Sequence, residues 1–356
     1  MTTPFNRTAL DHYVQHAIPV REQDLSGWDL RDADLSATMF EDCNFEGATL
    51  DGADLGDSQF IRCKFVRSSL ARCTLANTLF SESQFHRVSF QAVKVRNASW
   101  FSCQMQDVAF VEAEFHFACF SKSKLDNLLF MRAELENLVL ANVETGVLNF
   151  DAAKLERCVL HECDLRQAVL STALCKHVLF IKTQLAGKSF QGLRMEYPQF
   201  MEANLEGSDF SGAALVQGNF AKANLAGARF HKAQIPNAIF MEAELAGCDF
   251  AGAAMPHAIF AKAKASGARF EGANIYQGNF ADAELERADL RNTELTYADF
   301  SRAMLEHADL TGASLFRAKL HNVRDHNARF TDRARALGDD PETLASERWQ
   351  PAPRAN

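Results

Sequence analysis

The sequence predicts an all-β solenoid, a parallel β-helix of about 15 four-sided coils, each about 20 residues long. Three regularities predict it. Every fifth residue from Leu25 to Leu320 is Leu, Phe, Ile, Met, Val or Trp, except at Thr145, Cys175 and Ala265. From Phe180 to Phe280 every tenth residue is Phe. Outward charges alternate in sign at intervals of 20 residues, which is four five-residue units.

Each five-residue unit is predicted to form one side of a coil. A period of five fits neither the turn of an α-helix nor the alternation of a single strand. We expect the large residue of each unit, and the small residue two places before it, to point inward, while the other three face water. The small residue is needed because two side chains per side share a closed core packed at the density of an organic crystal. The spacing of phenylalanine then places Phe on two opposite sides and smaller residues on the other two.

The charge pattern supports a coil of four units. One column reads Glu162, Lys182, Glu202, Lys222, Glu242, Lys262, Asp282 and Arg302, and a second reads Asp209, Arg229, Asp249, Arg269 and Asp289. Coils that stack about 4.8 Å apart would bring these neighbours within ion-pair reach. A slip by one coil would oppose like charges, so the alternation favours one register.

The repeat resembles the pentapeptide repeat family, whose consensus is A-(D/N)-L-x-x. Close matches include AKANL at 221–225, EGANI at 271–275, DGADL at 51–55 and ERADL at 286–290. The resemblance covers roughly residues 23–330 and implies a right-handed quadrilateral β-helix. It implies little about function, because one fold hosts several functions.

The two ends are predicted to differ from the repeat. Residues 1–22 form an N-terminal cap with a helix over 8–18, begun by a capping box from Thr8 to Asp11 and stopped by Pro19. Residues 23–324 form the β-helix. Residues 325–356 form a helical cap or dimerisation segment with a loose tail, with helices over 327–337 and from Asp340 to about Trp349. Both caps would cover open sheet edges.

Composition sets broad limits on function. The chain has 356 residues and a net charge of −9, from 37 basic and 46 acidic residues. No apolar run is long enough to span a bilayer, and the first residues lack the order typical of a signal peptide. We therefore expect a cytoplasmic protein that binds neither membranes nor, directly, nucleic acid.

Cysteines and histidines do not predict chemistry. Seven of nine cysteines occupy the small inward position, namely Cys43, Cys63, Cys73, Cys103, Cys158, Cys163 and Cys248. The motif from Cys158 through His161 to Cys163 looks like a metal site, but its cysteines point inward and its histidine outward. All histidines within the repeat, including His321, fall in outward positions and are expected to be solvated. We expect no enzyme activity, no metal and no cofactor.

The favoured function is a rigid, rod-like, non-enzymatic scaffold that binds a protein partner. One alternative is a mimic of duplex DNA, since some pentapeptide repeat proteins engage type II topoisomerases such as DNA gyrase. Against it, the charges here alternate instead of forming a continuous acidic face. A second alternative is an accessory or effector-associated protein of a bacterial secretion system.

Three surfaces are candidates for contacts. The first choice is the side centred on Tyr197, His257, Tyr276 and Tyr297, because tyrosine is enriched at protein interfaces. The second is a basic band of Arg62, Lys64, Arg67, Arg72, Arg87, Lys94 and Arg96, which follows an acidic stretch over 25–60. For a homodimer through the C-terminal segment, the predicted contacts are Phe330, Leu337, Leu344 and Trp349.

Overall fold

The chain folds as a four-sided parallel β-solenoid of about 16 turns, with two short helices among the described residues, which confirms the predicted fold class. The structure is a computed structural model and describes residues 5–349. Its contacts form two compact units, Met1–Leu185 and Ala186–Asn356. Neither described helix has the length and apolar character needed to cross a bilayer.

The first unit begins with a helix and continues as short strands on successive sides of the coils. In chain order these are α1 Arg7–Gln15, β1 Val20–Arg21, β2 Met39–Glu41, β3 Gln59–Ile61, β4 Lys64–Val66, β5 Thr74–Ala76, β6 Leu79–Ser81, β7 Gln84–His86, β8 Lys94–Arg96, β9 Ser99–Phe101, β10 Gln104–Ala109, β11 Glu114–His116, β12 Cys119–Ser121, β13 Lys124–Leu129, β14 Glu134–Glu136, β15 Val139–Ala141, β16 Glu144–Thr145, β17 Leu148–Asn149, β18 Lys154–Glu156, β19 Val159–His161, β20 Leu174–Lys176 and β21 Leu179–Ile181. They pair in parallel with a register of 20 residues, as in Phe40 opposite Phe60.

The second unit has fewer formal strands because most of its sides pair through a single bridge per coil. Its elements are β22 Arg194–Glu196, β23 Ala214–Val216, β24 Asp309–Leu310, β25 Arg329–Phe330, a 3-10 turn at Arg333–Arg335 and α2 Pro341–Arg348. The bridges keep the same register, as in Asn224 opposite Glu244 and Ile239 opposite Ile259.

One unit of the repeat shows why the period is five. The Leu225 N–H donates to the carbonyl of Glu244 in the next coil (2.8 Å), and the Glu244 N–H donates back to Ala223 (3.0 Å). Between these extended pieces, the Ala228 N–H donates to the Leu225 carbonyl (2.9 Å) and closes a tight turn. Each side is thus one bridge and one turn, which satisfies the backbone within five residues.

The core consists of stacked large side chains. In the second unit Phe220 lies parallel to Phe240, with ring centroids 5.0 Å apart, and perpendicular to Phe230 at 5.6 Å. Phe220 and Ala223 are fully buried, as the inward assignment predicts. Two opposite phenylalanine stacks therefore meet edge to face at the centre of each coil, an arrangement that aromatic rings favour.

The N-terminal helix lies close to its predicted position but begins differently. Asn6, not Thr8, is the N-cap, and its side chain accepts from the Ala9 N–H at 3.0 Å. The helix ends at Gln15, three residues before the predicted end. Phe5, whose ring stacks on Trp28 at 6.0 Å, continues the helix's contact with the first coil.

The C-terminal end corrects the sequence prediction. No α-helix forms over 327–337, where the only helical residues are the short 3-10 turn at Arg333–Arg335. Arg329–Phe330 instead pairs with Asp309–Leu310, and Leu337 bridges Lys319. The physical reason is the open edge of the last coil, whose unpaired N–H and carbonyl groups are satisfied by a further extended segment and not by a helix. The second predicted helix is present as α2, with Asp340 as its N-cap. The predicted loose tail, residues 351–356, lies outside the described residues.

Candidate interaction surfaces

The aromatic corner is the turn that precedes the side built on Phe200, Phe220, Phe240, Phe260, Phe280 and Phe300. It consists of residues 196–197, 216–217, 236–237, 256–257, 276–277, 296–297 and 316–317. Ring centroids lie 5.8 Å apart for His257 and Tyr276, 6.0 Å for Tyr276 and Tyr297, and 5.9 Å for Tyr297 and Phe316. The structure therefore brings His257, Tyr276 and Tyr297 together with Phe316 as one ladder over four successive coils, whereas the turns at 216–217 and 236–237 separate Tyr197 from His257.

The aromatic corner is exposed and nearly uncharged. Val216 is 41% exposed, Tyr297 41% and Phe316 48%. Glu196 at one end and Arg317 at the other are its charged residues. Exposed apolar groups in one continuous stripe mark an interaction site more often than scattered ones do.

Backbone geometry at this corner carries a conformational cost. Tyr197, His257 and Tyr297 have φ values of 55°, 62° and 61°, in the left-handed region. Each such residue costs about 1 kcal/mol relative to glycine. Another corner of the second compact unit has glycine at the equivalent turn position, as at Gly227 and Gly247. Other corners of the solenoid also hold large residues at this position, such as Lys222 and Lys262, so this backbone strain is shared and does not distinguish the aromatic corner.

The structure distributes the basic band around the coil instead of gathering it on one surface. Lys64 lies on β4, whereas Lys94 and Arg96 lie on β8, which belongs to another sheet. Sequence reasoning grouped these residues by chain position, but twenty residues complete a circuit of all four sides.

The preceding acidic stretch pairs with part of the basic band. Arg62 donates to Asp42 at 2.8 Å and to Glu41 at 2.7 Å, and Arg67 pairs with Glu46. The hydrogen bonds from Arg62 hold the pKa of Asp42 and of Glu41 below their ordinary values. The two bands therefore partly neutralise each other across neighbouring coils.

The four predicted dimer contacts have different surroundings. Leu337 is 49% exposed and Trp349 is 72% exposed, whereas Phe330 and Leu344 are half-buried. The Arg333 guanidinium covers the Phe330 ring at 5.7 Å. Two of the four side chains are thus open on the surface of one chain.

His321 corrects the prediction that every repeat histidine is solvated. It is buried beneath α2, where Nδ1 accepts from the Asp340 N–H at 3.1 Å and Nε2 lies 3.3 Å from Glu347 Oε2. Because Nδ1 accepts, the neutral ring carries its proton on Nε2 and donates to Glu347. No local sequence signal distinguishes His321, since its burial depends on a helix that follows 20 residues later.

The cysteines behave as small buried residues. Cys103 and Cys248 are buried, and their thiols donate to backbone carbonyls, Cys248 to Leu225 at 2.8 Å. Burial raises the pKa of Cys103, Cys158 and Cys248 to about 12. Within residues 5–349, no cluster of three or more His, Cys, Asp or Glu side chains could hold a metal ion.

Comparison with protein families gives two matches. The profile described as "Pentapeptide repeat region" matches residues 63–140. The profile described as "Pentapeptide repeats (8 copies)" matches residues 29–65, 203–241, 238–277 and 283–322. Comparison with curated protein sequences gives no significant match.

Solved structures with similar coordinates include three pentapeptide repeat proteins. QnrB1, a plasmid-mediated fluoroquinolone resistance protein, in a trypsin-treated form, is 17% identical, with 63% of this chain and 97% of that chain covered and a TM-score of 0.28. HetL, involved in heterocyst differentiation regulation in the cyanobacterium Nostoc, is 20% identical, with 88% and 96% covered and a TM-score of 0.18. A pentapeptide repeat protein of the Arabidopsis thaliana thylakoid lumen is 28% identical, with 35% and 69% covered and a TM-score of 0.14.

Proposed function

Since the chain belongs to the pentapeptide repeat family, we propose that it is a non-enzymatic, cytoplasmic scaffold that presents a flat side to a protein partner. Large side chains such as Phe220 fill the interior of the coils, so recognition falls to the outward columns. The cysteines among the described residues are free thiols, which suits a reducing compartment.

The observation that carries the proposal is the aromatic corner. Its rings from His257 to Phe316 form a regular ladder, and the corner is nearly uncharged. Tyrosine offers apolar area and a polar tip at a low cost in conformational entropy, which suits a docking surface. Tyr197, His257, Tyr276 and Tyr297 are its proposed contact residues.

The test is a double substitution, Tyr276→Ala with Tyr297→Ala. Both rings are on the surface, so we expect the melting temperature to change by no more than about 2 °C. The unchanged chain is first used to capture a partner from native lysate, and mass spectrometry identifies it. The double variant should capture that partner at least about tenfold less.

His231→Ala with Lys232→Ala is the matched control, because it changes the two equivalent turn positions on a different corner. If the tyrosine variant retains the same partner at full affinity, the docking surface lies elsewhere. The basic band from Arg62 to Arg96 is then the next surface to vary.

The charge distribution supports a scaffold over a mimic of duplex DNA. Acidic side chains that a mimic would present are paired with bases, as Asp42 is with Arg62 and Asp209 is with Arg229 at 2.9 Å. A DNA mimic should bind purified DNA gyrase with an affinity that falls as salt rises. Salt-sensitive gyrase binding would favour the mimic instead.

A further inference from the structure

One flat side of the second unit, which we call the isoleucine face, lies between the aromatic corner and a charged column. Its outward residues just before each buried Phe are Gln199, Asn219, Ile239, Ile259, Asn279 and Asp299. The charged column follows each Phe and contains Glu202, Lys222, Glu242, Lys262, Asp282 and Arg302. Residues in each column are bridged or hydrogen-bonded from coil to coil, as Ile239 is to Ile259.

The centre of this face is apolar. Ile239 and Ile259 are adjacent and half-buried, and Met241 beside them is 41% exposed. Above and below them the face becomes polar at Asn219 and Asn279. An apolar centre with a polar rim is the usual organisation of a protein interface.

The face also reads almost the same in both directions along the coils. Reversed about its centre, Ile239 exchanges with Ile259, Asn219 with Asn279, and Gln199 with Asp299. The aromatic corner follows the same symmetry, with Tyr197 opposite Tyr297, Val216 opposite Tyr276, and Pro236 opposite Pro256. Such a surface is complementary to itself under a two-fold rotation that reverses the coil direction.

The charged column selects this arrangement. Its six charges alternate, so reversal pairs Glu202 with Arg302, Lys222 with Asp282, and Glu242 with Lys262, every one a pair of opposite sign. Slipping by one coil would oppose like charges throughout. A two-fold axis parallel to the direction in which the coils stack would instead place the charged column of one copy against the uncharged aromatic corner of the other.

We propose that the isoleucine face binds a second copy of this chain side by side and antiparallel, with Ile239 and Ile259 at the two-fold axis. This proposal depends on the proposed scaffold function at one point only, which is that the aromatic corner borders the isoleucine face. Neighbouring residues of the charged column already pair within one chain, with Lys222 Nζ 3.8 Å from Glu242 and Arg302 Nε 2.7 Å from Asp282. The second copy would add a partner to each of these exposed pairs.

The test uses the full chain and a compensating pair of charge reversals. Lys222 and Asp282 are three coils apart, about 14 Å, so they cannot pair within one chain, but the proposal makes them partners between copies. Sedimentation velocity at concentrations up to about 100 µM should show a monomer–dimer equilibrium for the unchanged chain. Lys222→Glu should weaken it at least about tenfold, because symmetry removes two pairs per dimer.

Restoration is the decisive measurement. Lys222→Glu with Asp282→Lys should return the dissociation constant to within about threefold of the unchanged chain, although it places like charges side by side within each copy. Lys232→Glu makes the same charge change at the equivalent position of another corner and should leave the dimer intact. Trp349→Ala, which removes an exposed contact of the predicted C-terminal dimer, should also have no effect.

Four results would overturn the proposal. The first three are a monomer at all concentrations, equal effects of Lys222→Glu and Lys232→Glu, and no restoration by the double reversal. The fourth is a dimer lost in Trp349→Ala and kept in Lys222→Glu, which would assign self-association to the C-terminal segment. The scaffold proposal is tested separately, because the capture experiment measures the binding of a different protein to the variant with the two tyrosine substitutions.

Discussion

At the scale of single residues, position within the five-residue unit determines how much a substitution costs. Phe220 is fully buried and contacts Phe200, Phe240, Phe210 and Phe230 at centroid distances of 5.2, 5.0, 5.7 and 5.6 Å. Lys222, two places later, is exposed and makes an ion pair at 3.8 Å. Two neighbours in sequence therefore have opposite roles.

Phe220→Asp should destabilise the protein by about 4 kcal/mol or more, because it removes a stacked ring and buries an unpaired carboxyl group. Lys222→Glu should cost less than about 1 kcal/mol, as exposed ion pairs do. Chemical denaturation followed by circular dichroism measures both. The reverse order of the two costs would mean that the inward and outward assignment is wrong.

The cysteines allow a second test at this scale. Since burial raises the pKa of Cys103, Cys158 and Cys248 to about 12, these thiols stay protonated at pH 8 and should not react with an aromatic disulfide reagent in the folded chain. Cys119, in the outward position, is half-buried and should react first. Cys119→Ser should abolish the fast phase of the reaction.

The same raised pKa values determine the direction in which the free energy of unfolding changes at alkaline pH. A protonated buried thiol contributes its full stability below the pKa of an unfolded cysteine, near 8.5, and that contribution is lost as pH rises towards about 12. Fast reaction of all thiols at pH 8 in the folded chain would contradict this assignment.

At the scale of elements, the end segments depend on specific polar contacts instead of the repeat. Helix α2 is held by Glu347, which accepts from Asn322 at 3.0 Å and pairs with His321 and Arg302 at 3.3 and 3.2 Å. Although burial opposes it, these hydrogen bonds hold the pKa of Glu347 below its ordinary value. The helix is therefore attached mainly by one carboxylate.

Glu347→Ala should release α2 from the last coil while the solenoid remains folded. Hydrogen exchange of the amides in 342–348 should accelerate at least about tenfold, because the helix is short and makes few other contacts. Glu342→Ala, in the exposed first turn of α2, is the control and should change exchange much less. Unchanged protection in Glu347→Ala would mean that apolar contacts, such as those of Leu344, attach the helix.

At the scale of the whole molecule, many charged side chains are paired locally, although the chain keeps a net charge of −9. Pairs between successive coils, such as Arg302 with Asp282 and Lys264 with Glu244 at 2.6 Å, occur in the second unit, and Lys154 with Glu134 in the first. Such exposed pairs contribute little each, and salt screens them together with the repulsion between like charges.

Raising sodium chloride from about 0.05 to about 1 M should therefore change the free energy of unfolding by less than about 2 kcal/mol. Over the same range, antiparallel self-association through the isoleucine face should weaken, since it adds ion pairs between copies. Denaturation and sedimentation at the two salt concentrations measure the two effects. A large gain in stability at high salt would show that unbalanced acidic repulsion dominates instead.

The repeat itself could be predicted from sequence because its causes are local. A bridge and a turn satisfy the backbone within five residues, and one large and one small inward residue fill one quarter of a coil, so Phe220 and Ala223 are recognisable without coordinates. The ladder of Tyr276 and Tyr297 was predictable for the same reason, since residues about 20 apart always become neighbours.

The tertiary structure alone decided what does not follow the period. At the end of the solenoid no further coil supplies hydrogen bonds, so short extended pieces at 329–330 and at Leu337 pair along the open edge, and α2 buries His321. Chain position also made seven basic residues look like a patch, although one circuit of the coil separates them onto different sides. Contacts at an end and the direction of a side chain around the coil depend on closure in three dimensions, which a linear period does not contain.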